Sequence, residues 1–458
     1  LSRKVQPIHI YGFLPKRNCG RCGVTTCLAF AAKLASGEAT PDLCPFLTPQ
    51  SRARIFALIM PPVRPVAIAS SKITVEVGGE EGLFRHDGGF RREARIAYPI
   101  DLTLNHTEIT GKVSYVESIV LERMDSKLSV DLYIVDLKML PPELVEDRLA
   151  AIRKVTDKPL ILKASSMDAY DSALKFLRDE KPAVMIDPST MSIEELAGMR
   201  SIRDYPIVIM VDSIDPLEEA LTRIEGMGLD RVIIGIRCPD VRKLLKYVSS
   251  VRVRSVEGDR KFGYPILVDV GEATHPYGCI AILAAVLLRY ASILVLPRSI
   301  AREGVEGLLV FKQSLYMDPK KPRTVDPGLY EVGIPSKSSP VIVTSNYALT
   351  FYIVRKALEV SGIECWILAV DTGGLSVASA IGGGKFTAKQ IVEAIQAHRD
   401  RIDPREVLVV LPGLASHIKP EIEAVGFNVV VGPVKARDIP VFVRSLEYGE
   451  SSSHRFNG

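Results

Sequence analysis

Four cysteines stand within 26 residues near the front of the chain: Cys19, Cys22, Cys27 and Cys44, spaced C-x2-C-x4-C-x16-C. Four thiolates are what a [4Fe–4S] cluster needs, one per iron. The short gaps let one loop wrap a corner of the cluster. Gly20 and Gly23 sit beside the first two ligands, where a wrapping backbone needs unusual dihedrals. Pro45 follows the last cysteine, as in some ferredoxin-type runs. A structural zinc site is the competing chemistry, but it usually uses two C-x2-C pairs, and only one is present. Cys238, Cys279 and Cys365 are scattered in apolar settings and read as core.

A second group of candidate residues lies in the last third, in four loops that each follow an apolar run. They are "TSNYALT" (344–350), "DTGGLSVASAIGGGKF" (371–386), "LPGLASHI" (411–418) and "VVGPVKARDIP" (430–440). Ligands of open α/β sheets sit outside the carboxyl ends of the strands. Loops of small and hydroxylated residues there make a smooth, hydrogen-bonding platform for a large flat ligand. Neither GGLS nor GGGK has the dinucleotide or phosphate-loop spacing. Ordinary loop glycines are the bland alternative.

The elements that position these residues follow from apolar periodicity. "LAFAAKLASGEA" after Cys27 has helical spacing and a glycine near its end, so a short helix links the third and fourth cysteines. "PPVRPVAI" reads as a rigid linker out of a module ending near Met60. From 95 to 316, eight apolar runs ("ARIAYPI", "DLYIVDL", "PLILKA", "AVMID", "PIVIMV", "RVIIGI", "PILVDV", "SILVLP") alternate with amphipathic stretches. Buried runs with helical crossovers mean parallel strands covered on both faces. Eight of them suggest a (β/α)8 TIM barrel, with an open doubly wound sheet as the alternative. Asp136, Lys163, Asp187, Asp212, Arg237, Asp269, Glu272 and Arg298 fall at strand ends, as catalytic groups or as an ion-pair lattice. "KITVEVGGEEGLFRHDGGF" reads as a β-hairpin with a Gly-Gly turn, a candidate lid on one barrel end. Residues 317–340 read as an extended connection to a small open α/β domain with strands "VIVTS", "ECWILAV", "EVLVVL" and "FNVVVG". The expected fold class is α/β. A small N-terminal module spans 1–60, the barrel with its leading hairpin 61–320, a flavodoxin/Rossmann-like domain 321–450, and a disordered tail 451–458.

The 458 residues are too many for one core. With 58 basic and 54 acidic side chains, the net charge of +4 is no footprint for nucleic acid. The apolar stretch from Cys279 to Pro297 is broken by Arg289 and Tyr290, and reads as a buried helix then a strand, not a membrane span. The first residues have no apolar core of signal-peptide length, so a reducing cytoplasm is expected. There, clustered cysteines mean metal or redox chemistry.

The cysteine motif "LPKRNCGRCGVTTCLAFAAKLASGEATPDLCPF", the barrel and the "TSNYALT", "DTGGLSV" and "LPGLAS" loops together resemble one family. It is the large subunit of the corrinoid/iron–sulfur protein, the gamma subunit in acetyl-CoA decarbonylase/synthase complexes. The resemblance covers nearly the whole chain in the same domain order. It implies a methyl carrier with a cobalt corrinoid on the C-terminal domain. Reduced cobalt takes the N5-methyl group of a methyl-tetrahydrofolate or tetrahydropterin and passes it to the nickel centre of acetyl-CoA synthase, or the reverse. The low-potential cluster reactivates oxidised cobalt. The catalytic chemistry is then the cobalt's and not a side chain's.

The resemblance further implies that Ser345, Asn346 and Thr350 contact the corrin edge or its nucleotide tail. Gly373, Gly374, Leu375 and Ser376 would line its lower face, with Thr372 under the cobalt. Pro412, Gly413, Ala415, Gly432 and Pro433 would complete the cradle. An N-cap for the next helix is the alternative role of Thr372 and Asp371. No histidine stands two positions after an aspartate, so D-x-H-x-x-G is absent, which fits a corrinoid held without a protein histidine ligand. Implied partners are a smaller barrel subunit, acetyl-CoA synthase and a pterin or folate methyltransferase, with no membrane insertion. An iron–sulfur/flavin electron-transfer protein and a zinc-bound scaffold are the rival readings.

Overall fold

All eight apolar runs become parallel strands of one closed barrel. In the computed structural model, residues 5–90, 92–124, 126–138, 140–187, 200–271, 275–318 and 322–453 are described. A hairpin of β1 (Val66–Ala69) and β2 (Thr74–Val77) precedes the barrel strand β3 (Arg95–Asp101). Next come a short pair, β4 (Leu121–Arg123) and β5 (Ser126–Leu128), then β6 (Leu132–Lys138), β7 (Leu160–Ala164) and β8 (Ala183–Ile186). The barrel ends with β9 (Ile207–Val211), β10 (Val232–Arg237), β11 (Ile266–Asp269) and β12 (Ile293–Val295). Each barrel strand pairs with its neighbour in sequence, and β12 closes onto β3. Closure decides against the open sheet.

The barrel packs because its strands alternate. One set of side chains, with Ile96, Val135, Leu162 and Ile234, meets the outer helices. The other set, with Ile134, Ile161, Met210 and Ile233, fills the interior. Gly235 lies opposite Met210, and a β-carbon there would come within 2.2 Å of the Met210 sulfur. The Cys279–Pro297 stretch divides as expected into a helix, Pro276–Leu288, and β12. Among the described residues no helix is long and apolar enough to cross a membrane. The amphipathic stretch "SIEELAGMRSIRD" (192–204) reads as one of the crossover helices, but it lies outside the described residues except for a 3-10 turn at Arg200–Asp204.

The hairpin corrects its expected register. Its turn is Ser70–Ile73, where the Ser70 hydroxyl accepts from the Lys72 and Ile73 N–H groups at 3.3 and 3.0 Å. Gly78 and Gly79, both at positive φ, carry the chain out of β2 instead. Left-handed glycines serve hairpin turns and strand exits alike, so the pair is ambiguous in sequence. Val66, Ile68, Val75 and Val77 join the interior side chains in one core, and Ala69 pairs with Lys181 just before β8. The hairpin therefore stoppers the barrel at the N-terminal ends of its strands.

The chain divides into two compact units. One comprises Leu1–Glu122 with Lys127–Tyr316, the other Arg123–Ser126 with Met317–Gly458. The second unit holds a five-stranded sheet of β13 (Gly328–Val332), β14 (Val341–Ser345), β15 (Cys365–Val370), β16 (Leu408–Leu411) and β17 (Asn428–Val431). Its order is β13-β15-β14-β16-β17, with β13 antiparallel and the others parallel. Strand β13 corrects the expectation of a plain connection over 317–340. "GLYEV" is short and flanked by proline and lysine, and only its pairing with β15 makes it a strand. The last helix, Ile439–Ser453, runs three residues into the expected disordered tail; 454–458 lie outside the described residues.

Candidate functional site

The cysteine module is a small core of its own, built from Ile10, Phe30, Leu34 and Ile55. Cys27 and Cys44 are 6% and 4% exposed within it, and Cys22 is partly buried against it, while Cys19 is exposed on the preceding loop. All four are free thiols. The expected helix runs Cys27–Ser36, N-capped by Thr26, whose hydroxyl accepts from Ala29 N–H at 3.1 Å, and ended by left-handed Gly37. Cys27 is thus the first helical residue, at the positive end of the helix dipole, which suits an anionic ligand. Asn18 (φ 47°), Gly20 (φ 74°) and Gly23 (φ 84°) curl the loop that carries Cys19 and Cys22. Asn18 Oδ1 accepts from Cys27 N–H at 2.8 Å, tying the loop to the helix. Arg17 and Arg21 lie over the Phe46 ring. Among the described residues, no three His, Cys, Asp or Glu side chains are grouped closely enough to hold a metal. The donor set fits a four-thiolate cluster in type and number. The expected linker is fastened down: Pro62 O accepts from Ser255 Oγ at 2.9 Å, and Arg64 N–H donates to Gly263 O at 2.9 Å. Cys238, Cys279 and Cys365 are core residues, and burial pushes the Cys365 thiol up to about 12.

At the carboxyl edge of the C-terminal sheet, the loops after β14, β15, β16 and β17 are held together. A cavity of about 200 Å³ opens there. Five of the expected residues line it: Thr350, Ser376, Pro412, Gly432 and Pro433. Gly413 N–H donates to Pro433 O at 3.2 Å, and a β-carbon on Gly413 would lie 2.8 Å from Gly432 O. Glycine is required because two backbones meet. Ala415 is fully buried beneath this junction. Thr344, Ala378, Leu414, Val434 and Ala436 also line the cavity and were not singled out in the sequence. All five lie in or beside the quoted loops; what hid them is that apolar residues there resemble ordinary helix starts.

The β15 loop is organised by Asn346. Its Oδ1 accepts from Thr372 N–H (3.0 Å), Thr372 Oγ1 (2.9 Å) and Gly374 N–H (3.1 Å), and its amide donates to Asp371 Oδ1 at 3.3 Å. Thr372 is fully buried, and its hydroxyl lies 2.8 Å from Leu375 O. Its side chain therefore points into the loop in this structure. The N-cap alternative is corrected: Ser376 caps the helix Val377–Gly382, accepting from Ser379 N–H, while Asp371 Oδ1 accepts from Gly373 N–H. Gly374 packs under Thr324 and Pro322, Gly373 is exposed below Lys385, and Leu375 is half-buried. Ser345, the last residue of β14, is fully buried, and among the described residues its hydroxyl has no hydrogen-bond partner.

The barrel's strand-end charges form a lattice. Arg298 pairs with Asp136 (3.0 Å) and Asp101 (3.5 Å), and Lys163 approaches Asp136 at 3.7 Å. Arg237 pairs with Asp187 (2.9 Å) and Asp269 (3.4 Å). Asp212 is exposed, and Glu272 lies outside the described residues.

The chain is similar to known proteins along almost its whole length. The family profile of the CO dehydrogenase/acetyl-CoA synthase delta subunit matches residues 65–443, and that of an Fe–S cluster matches residues 14–46. The corrinoid/iron–sulfur protein large subunit of Moorella thermoacetica is 30% identical, over 96% of this chain and 98% of its own. The acetyl-CoA decarbonylase/synthase complex subunit gamma of Methanopyrus kandleri is 30% identical, over 96% and 97%. The subunit gamma of Archaeoglobus fulgidus is 27% identical, over 93% and 95%.

Proposed function

Because this chain belongs to the CO dehydrogenase/acetyl-CoA synthase delta-subunit family, we propose that it is a corrinoid/iron–sulfur methyl carrier acting within an acetyl-CoA decarbonylase/synthase type of complex. The observation that carries the reading is the loop edge of the C-terminal sheet. There, four loops meet around one cavity and glycines lock two of them backbone to backbone. The C-terminal unit is then a flavodoxin/Rossmann-like corrinoid-binding domain. The cavity holds only part of a cobamide, so the ligand lies across the loops. Thr350 and Ser376 offer hydroxyls, Pro412, Gly432 and Pro433 a flat wall, and Leu414 and Val434 an exposed apolar rim.

In this reading Cys19, Cys22, Cys27 and Cys44 hold a [4Fe–4S] cluster. When bound, the corrinoid supplies a cobalt that accepts and donates a methyl group, and the cluster supplies the electron that restores it. The chain's own residues do the positioning. Asn346 and Thr372 fix the height of the Gly373–Gly374 turn, and the Gly413–Gly432 contact fixes the opposite wall. His417, exposed on the β16 loop, is not a cobalt ligand in this proposal. Methyl transfer from a pterin or folate, and onward to acetyl-CoA synthase, is the activity of the assembly that includes a smaller barrel subunit.

The test is an anaerobic absorption spectrum of purified protein with iron and cobalt counted on the same sample. Cobalt near one and iron near four per chain, with the reduced-cobalt band appearing on reduction, is the expected result. Failure to bind added cobalamin together with a flavin spectrum would overturn it.

A further inference from the structure

In the cysteine module, Arg17 stands two residues before Cys19, and Arg21 directly before Cys22. Both are exposed, and both reach the same ring. Their guanidinium carbons lie 4.6 and 5.4 Å from the centre of Phe46, which follows Cys44 by two residues and packs against the module's core. These are cation–π distances. Among the described residues neither arginine pairs with a carboxylate: of the two acids between residues 5 and 60, Asp42 is taken by Arg52 at 3.1 Å, and Glu38 lies beyond the far end of the helix that begins at Cys27. Six lysines and arginines stand in the same span, so the module carries an excess of positive charge.

Two separate contacts fasten the loop that bears Cys19 and Cys22. From Lys16 to Gly23 four residues have positive φ, and two of them are not glycine: Lys16 (55°) and Asn18 (47°). Such residues avoid that region, and a loop built this way keeps its shape only where other contacts hold it. The Asn18 side chain ties the loop to the helix of Cys27. Phe46, under Arg17 and Arg21, ties it to the segment of Cys44. The second tie sets two positive charges beside cysteines of both segments. A four-thiolate iron–sulfur cluster is an anion that gains one more negative charge on reduction, and nearby positive charge favours the reduced form.

We infer that Arg17 and Arg21, held on Phe46, are positioning residues for the cluster: they fasten its ligand loop to the Cys44 segment and make the cluster easier to reduce. The step they favour is the uptake of one electron from a low-potential reductant, with no bond made or broken. The inference rests on the cluster reading of the four cysteines and is independent of the corrinoid platform.

The experiment is an anaerobic redox titration of the full chain, followed by electron paramagnetic resonance of the reduced cluster, with iron counted on each sample. Arg17→Gln and Arg21→Gln should keep wild-type iron and shift the midpoint to more negative values. Each lowers the reduced-to-oxidised ratio at a fixed potential about threefold, the size of an exposed charge interaction, and the double variant lowers it further. Arg21→Lys keeps the charge and should hold the wild-type midpoint. Both guanidiniums are exposed, so the shift should shrink as salt is added. Phe46→Leu frees both arginines and should speed iron loss to a chelator. Arginines that only packed the loop would change iron loss without moving the midpoint. If the double variant loses its iron, the single variants decide. A wild-type midpoint in iron-loaded glutamine variants overturns this inference and leaves the cluster reading standing; a wild-type chain that takes up no cluster overturns both.

Discussion

Replacing Asn346 by leucine tests whether one side chain holds the β15 loop. The two side chains are close in size, so the change is mainly chemical. It removes the acceptor of Thr372 N–H and Gly374 N–H, both buried. The Thr372 hydroxyl keeps Leu375 O as an alternative acceptor. Two buried donors without partners cost about 1–3 kcal/mol each, so the substitution should destabilise this unit by about 2–6 kcal/mol. Thr372→Val removes one hydroxyl but leaves both N–H groups bonded to Asn346, and should cost only about 0.5–1.5 kcal/mol. The assay is urea unfolding followed by fluorescence. Trp366 is the only tryptophan in the chain, is 4% exposed on β15, and donates its indole N–H to Ser336 O. It therefore reports on this sheet alone. Equal costs for the two variants, or a cost below about 1 kcal/mol for Asn346→Leu, would refute the assignment of Asn346 as the hub.

Other consequences are open to measurement. Cys27→Ala should abolish stoichiometric iron while leaving added cobalamin bound, read by metal analysis of the same sample; loss of both would show that the sites are coupled. Gly413→Ala forces apart two loop backbones and should weaken cobalamin binding more than it lowers the thermal midpoint, measured by equilibrium dialysis and calorimetry. In folded, cluster-free protein at pH 8, alkylation should label the exposed Cys19 first and leave Cys365 untouched, because burial pushes that thiol up to about 12, far above a free thiol at about 8.5. A raised folded value means that the Cys365 contribution to stability is complete below the ordinary thiol range and is lost as pH climbs toward 12; a Cys365→Ala variant should flatten that alkaline decline. Asp136→Ala removes the carboxylate facing Lys163 and Arg298, both partly solvated, and should cost about 1–3 kcal/mol in barrel unfolding.

The barrel was legible because parallel strands buried on both faces must be apolar along their whole length, and eight such runs at helical intervals leave few topologies. The cysteine spacing and the helix Cys27–Ser36 were legible for the same reason: ligand loops, N-caps and glycine C-caps are local. The loops at the C-terminal sheet edge could be named, since each follows a strand directly. What each side chain does there could not. Thr372 stands in a loop of the right composition, yet tertiary contact with Asn346, 26 residues away, turns its hydroxyl inward. Strand β13 exists because β15 offers it an edge, and the hairpin became a barrel stopper because its valines meet an interior built from eight distant segments. The Arg252–Glu80 ion pair joins residues more than 160 positions apart. Charges in a sequence carry no sign of which will be buried together. Local periodicity and spacing thus determined the elements and the chemistry available, and only long-range packing decided which polar groups line a cavity and which hold the fold.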